Sequence, residues 1–100
     1  EEITLDMYHK ALRLQSCGEL LAAEDILQIL IEDNIPQLES QGGLPKTMST
    51  IKYSCYVNLG SIALKKQKLQ VALDNFLIAS ELDKTDVTLW YKIGTIALQL

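Results

Sequence analysis

The sequence is short of the residues that catalysis usually draws on. It has a single histidine, His9, two cysteines, and Arg13 as its only arginine among nine basic residues. A Cys–His or Ser–His pair would have to use His9, which has neither a glycine-rich phosphate loop nor metal-ligand spacing around it. Beside Lys10 and Arg13 it reads as a solvated surface histidine. Glu24 with Asp25, and Glu32 with Asp33, are paired only in sequence, because adjacent helical residues point about 100° apart and form no acid–base dyad unaided. No enzymatic activity, catalytic residue, metal or cofactor is expected.

Other classes fall to similar shortages. Cys17 and Cys55 are too few and too far apart for a disulfide framework or a metal motif, and both read as small buried hydrophobes. No apolar run reaches the roughly 18 residues a membrane span needs, and no basic-then-apolar leader opens the chain, so a soluble intracellular protein is expected. The lysines are scattered over separate segments, which disfavours direct nucleic-acid binding. What charge there is divides unevenly. Residues 1–39 carry nine acids against Lys10 and Arg13, net −7, whereas residues 40–100 carry four acids against seven lysines, net +3.

What the chain has instead is self-similarity. A shift of 34 residues lays Tyr56 on Trp90, Leu59 on Ile93, Gly60 on Gly94, Ile62 on Ile96 and Ala63 on Ala97. That period is the signature of tetratricopeptide repeats, units of two antiparallel helices that bury their apolar faces by stacking. Leu69, Ala72, Leu73, Phe76 and Ala79 supply one face of the second helix. Gly60 and Ala72 are small enough to let two backbones approach, with Tyr56, Leu59 and Phe76 filling the flanks. A shift of 49 finds an earlier copy, with Met7 under Tyr56, Ala11 under Gly60, Leu14 under Ala63, Ala23 under Ala72 and Leu27 under Phe76. Lys10 breaks the match by standing where Leu59 and Ile93 stand.

The expected architecture is all-α, a right-handed tetratricopeptide solenoid. Its parts are a first unit at 4–37, an inserted loop at 38–52 containing Gly42, Gly43 and Pro45, a second unit at 53–86, and the first helix of a third at 87–100. No proline ends the second helix at Lys84, so Thr85 or Asp86 is expected to cap the next. Trp90, Ile93, Gly94 and Ala97 would then present an uncovered apolar face, which suggests a piece of a longer array and a route to self-association.

First helices of such arrays line the concave surface. The expected partner contacts are therefore Val57, Asn58, Ser61 and Lys65, with Tyr91, Lys92, Thr95 and Gln99. A second candidate is an acidic stripe of Glu24, Asp25, Glu32 and Asp33 opposite Leu20, Ala23, Leu27 and Leu30, suited to a basic partner such as a histone or to plain solvation. Asn58 and Lys92 also match two places of the clamp by which some such grooves hold a chaperone's carboxylate end. A co-chaperone adaptor binding carboxylate-ended peptides is accordingly the alternative function, although Tyr8 and Leu12 stand where that clamp needs lysine and asparagine.

One resemblance is more specific than the repeat. LDKTDVTLWYKIGTIALQL at Leu82–Leu100, IKYSCYVNLG at Ile51–Gly60 and YHKALRLQ at Tyr8–Gln15 resemble the amino-terminal repeat region of the Cabin family, the calcineurin-binding protein and its fungal counterpart in the histone regulatory complex. The resemblance implies a non-enzymatic, nuclear subunit of the HIRA histone chaperone complex. Its implied partners are a HIRA-type WD-repeat protein, ubinuclein and, through the complex, histones H3 and H4 deposited independently of replication.

Overall fold

The computed structural model describes residues 2–100, and the chain is all-α with no strand among them. The helices are α1 (Glu2–Ser16), α2 (Leu20–Ile29), α3 (Ile35–Ser40), α4 (Lys46–Lys65), α5 (Leu69–Leu82) and α6 (Val87–Gln99), with a π-helical turn at Leu30–Asn34 joining α2 to α3. Two compact units divide the chain between Cys55 and Tyr56, within α4.

In the first unit α1 packs on α2. Ala11, Ala23, Leu27 and Leu30 are wholly buried, the positions that helical spacing assigns to one face of each helix. The hairpin between them closes on Gly18, whose φ of 85° is left-handed. There the Gly18 N–H donates to the Gln15 carbonyl and the Glu19 N–H to the Leu14 carbonyl, the paired bonds that end a helix by satisfying its last carbonyls.

Beyond Ile29 the regular α-helix stops. The Ile35 N–H donates to the carbonyl of Leu30, five residues back, and both side chains are 0% exposed. A regular helix would bring residue 33 or 34 to that phase, so the wide turn is what keeps Ile35 in the core. Pro36, in the first turn of α3, supplies the cause. It has no N–H, and its ring would strike the carbonyl four residues earlier in an unbroken helix. The Asn34 carboxamide, beside it, donates to the Met7 sulfur at 3.4 Å and ties the turn to α1.

The stretch expected as an inserted loop, 38–52, is loop only over 41–45. Gly42 and Gly43, with φ of 115° and 111°, and Pro45 break the chain there. On one side α3 runs on through Ser40, and on the other α4 begins at Lys46. Burial explains the added helix, because Met48, Ile51 and Cys55 fall on one face of α4 and are 2%, 5% and 0% exposed. Lys52 Nζ meets Glu39 Oε2 at 3.0 Å, a partly exposed pair worth well under about 1 kcal/mol.

In the second unit, from Tyr56 on, the last part of α4 crosses α5 and α5 packs on α6. The crossing turns on Gly60, where a Cβ would lie 2.6 to 2.9 Å from three atoms of the Phe76 ring. Gly94 has no such neighbour, for a Cβ there meets nothing within 4 Å. On α6 the inward residues are Leu89, Ile93 and Ile96, at 2%, 9% and 2% exposure. Ile93 therefore leaves the uncovered face that the repeat pattern assigned to it. Trp90, Gly94 and Ala97 remain exposed.

Two turns hold the unit. Gln67, with φ of 59°, ends α4 through the same two bonds that end α1, Gln67 N–H to Leu64 and Lys68 N–H to Ala63. Before α6, Asp83 Oδ1 accepts from the Thr85 hydroxyl at 2.6 Å and the Thr85 N–H at 3.0 Å, and Asp86 caps the helix by accepting from the Leu89 N–H at 3.2 Å. The cap is thus Asp86, one of the two residues the sequence put forward. Those donors, the hydroxyl first, hold the Asp83 carboxyl below its ordinary value.

Candidate functional site

The eight residues expected on a partner-binding surface all lie in the second unit, four on α4 and four on α6. Tyr91, Lys92, Thr95 and Gln99 come together along α6 and line a hollow of about 270 Å³. Their spacing of one, three and four residues keeps them on one side of the helix, next to the stripe that carries Leu89, Ile93 and Ile96 inward. Val57, Asn58, Ser61 and Lys65 do not line this hollow. The first three are half-buried, Lys65 is exposed, and Asn58 is engaged within the protein.

The α4 side of the hollow is formed by Leu64, and its floor includes Ile96. Repeat matching pairs Ile96 with Ile62 as packing residues and does not single out Leu64. The signal was available, since Leu64 is one residue from Lys65 at the end of the same helix that the hollow borders. Leu64 is 37% exposed and Tyr91 76% exposed, so a large apolar side chain would find an aliphatic wall and an aromatic rim already in place. Lys92 Nζ sits 5.8 Å from the centre of the Phe76 ring, within reach of an attraction between the cation and the ring face. The ring that fills the Gly60 crossing therefore also holds the hollow's only charged lining residue.

Asn58 and Lys92, the two matches to a carboxylate clamp, are not brought to one hollow. In the first unit the acidic stripe is not one regular helix face. Glu24 and Asp25 lie on α2, whereas Glu32 and Asp33 lie in the π-helical turn, whose wider register rotates them relative to α2. Asp25, Glu32 and Asp33 are exposed and Glu24 is half-buried with a partner of its own. A second hollow in this unit, about 240 Å³, is lined by Ile3, Thr4, Leu38 and the carboxamides of Asn34, Gln37 and Gln41.

His9 is exposed, with its ring 6.0 Å from that of Tyr8. Burial pushes the Cys55 thiol up to about 12, so it stays protonated and inert at neutral pH. Cys17 is exposed, which corrects its reading as a buried hydrophobe. It stands past the last turn of α1, next to Gly18, where the chain leaves the helix and no element covers it. Among the described residues no cluster of three or more His, Cys, Asp or Glu could hold a metal ion, and no helix is long and apolar enough to cross a membrane.

The family profile described as the CABIN1 N-terminal domain covers residues 2–100. No solved structure matches the chain.

Proposed function

The chain belongs to the CABIN1 N-terminal domain family, and from that premise we propose that it is a non-catalytic scaffold of a HIRA-type histone chaperone complex. The family is a non-enzymatic one, and membership points to a role related to the Cabin and HIRA complex. The single observation that carries the proposal is the extent of the match, which takes in every helix of both units.

The finer parts of the proposal rest on the helices themselves. Two copies of one turn, at Gly18 and Gln67, and buried small and large residues recurring in one frame, Ala11 and Leu27 beside Gly60 and Phe76, support a tetratricopeptide arrangement in which each hairpin is one repeat. Helical hairpins offer binding partners defined surfaces. Holding a HIRA-type WD-repeat protein and ubinuclein on one scaffold raises their effective concentration around a histone cargo, with no bond made or broken by the scaffold. The exposed carboxylates Asp25, Glu32 and Asp33 suit the basic cargo, and the α6 hollow suits a subunit. The place of action is the nucleus.

The test is direct binding between this hundred-residue chain and purified HIRA-type WD-repeat protein, and separately ubinuclein, by calorimetry. Saturable binding to either supports the reading. A folded chain that binds neither, at concentrations of about 100 μM, ends it.

A further inference from the structure

Apart from Asp74 on α5 and Lys92 on α6, the charges of the second unit gather at its turns. Lys65, Lys66 and Lys68 stand at the turn from α4 to α5, the end at which Leu64 meets α6. Glu81, Asp83 and Asp86 stand at the turn from α5 to α6, joined there by Lys84. The fourteen residues of α5 between the two turns put these groups about 20 Å apart, two Debye lengths at moderate salt. The hollow runs from the basic end, at Leu64 and Gln99, back along α6 to Tyr91 and Lys92. Its lining holds Lys92 and no carboxylate. The partner of the Lys92 ammonium is the Phe76 ring, not a carboxylate.

A surface of this kind selects on two counts. The aliphatic wall of Leu64 and Ile96, the Tyr91 rim and the groove between two helices fit an apolar ridge from a third helix. Lys92, with Lys65 and Lys68 exposed beyond it, favours a ridge flanked by carboxylates and repels one flanked by lysine or arginine. The Phe76 ring steadies the Lys92 ammonium without neutralising it, leaving the charge for a partner. We propose that the α4–α6 hollow is a docking site for an acidic amphipathic helix, one leucine-like side chain seated against Leu64 and Ile96 and a neighbouring carboxylate paired with Lys92. This deepens the scaffold reading by giving the chemistry of the segment that one subunit must present.

The test uses the chain itself and a fluorescein-labelled, capped dodecapeptide with leucines on one helical face and aspartates beside them, read by fluorescence anisotropy. Binding should be saturable and weaken on raising salt. Lys92→Glu should weaken it at least tenfold, whereas Lys84→Glu, the same change in net charge at the other end of the unit, should weaken it less than twofold. A probe with lysine in place of aspartate should reverse the order, binding Lys92→Glu more tightly than the unmutated chain. Circular dichroism melts of both variants keep folding defects apart from binding defects. Equal losses from Lys92→Glu and Lys84→Glu, equal binding of an asparagine-for-aspartate probe, or no binding of the aspartate probe would each overturn the proposal. So would probe-independent dimerisation abolished by Lys92→Glu, which would make a second copy the occupant. A chain that binds the HIRA-type subunit but not the probe loses this inference alone, and one that binds the probe but neither subunit loses the scaffold reading alone.

Discussion

The α1–α2 hairpin and the hairpin made by the end of α4 with α5 solve the same packing problem with different side chains. In a frame shifted by 49 residues the first places Ala11 and Leu27 where the second places Gly60 and Phe76, and all four positions are buried. Where the small residue is smaller, the large one is larger. Total volume at the crossing is what the backbone separation demands, and the identity of either partner is free to drift so long as the other follows. The turns tell the same story, because Gly18 and Gln67 occupy one left-handed position at opposite steric cost. The hairpins part company only after Leu30, where the first widens into a π-helical turn and the second runs on as regular helix to Leu82.

The harshest test of this comparison is a one-residue deletion in each hairpin. Removing Asp33 together with Pro36→Ala takes out both the residue that the wide turn accommodates and the ring that forbids an unbroken helix, so a regular helix should bring Ile35 to its buried place with a change in stability within about 1 kcal/mol. Removing Asn75 from α5 should rotate Phe76 and Ala79 out of their crossing and cost more than about 3 kcal/mol. Urea denaturation of both variants decides it, and a large loss from the Asp33 deletion would show that the wide turn is held for some other reason.

Exchanging the crossing residues comes next. Gly60→Ala should cost about 1 to 3 kcal/mol although alanine favours helix, because its methyl enters the Phe76 ring. Adding Phe76→Leu recreates the pair found at Ala11 and Leu27, and should recover at least about 0.5 kcal/mol relative to the sum of the single changes. Strict additivity in a double-mutant cycle would mean that volume compensation is not what relates the two hairpins.

Turn substitutions should act more gently. Gln67→Gly relieves a left-handed residue and should stabilise by about 0.5 to 1 kcal/mol, while Gly18→Ala should destabilise by a similar amount. Thermal melts of the two variants should therefore shift in opposite directions. The smallest effect belongs to Asp83. Its lowered carboxyl value means that its contribution to stability is complete above the ordinary value of 3.8 and disappears as pH falls through the folded value. Asp83→Asn should remove only that portion of the acid limb, seen as a shallower fall of the urea midpoint in this range and an unchanged dependence near neutrality.

Residues whose role depends on periodic burial were legible in the sequence. Ala23, Leu27, Leu59, Ile62, Ala72 and Phe76 recur at helical spacing and all are buried, so the helices and the Gly60 crossing followed from pattern alone. The wide turn was not, because a constant offset between copies hides one residue absorbed inside a helix. Pro36 and the five-residue gap between Leu30 and Ile35 were its signals. The expected loop at 38–52 failed for the opposite reason, since Gly42, Gly43 and Pro45 mark a break of a few residues and Met48, Ile51 and Cys55 continue a helical period right up to it. At the candidate site the α6 half was readable from one face of a helix. Leu64 was not singled out, because which α4 side chain meets that face is set by the helix crossing.

Trp90 is the only tryptophan in the chain, and its indole N–H donates to the Lys84 carbonyl at 3.2 Å, bracing the turn that leads into α6. Its emission is consequently a built-in optical probe of that turn and of the second unit alone. Amide circular dichroism, by contrast, sums over every helix. Heating the unlabelled protein while recording both signals would show whether the unit ending at Cys55 and the unit beginning at Tyr56 melt as one cooperative body or in two steps, with a single superimposed curve in the first case and separated midpoints in the second.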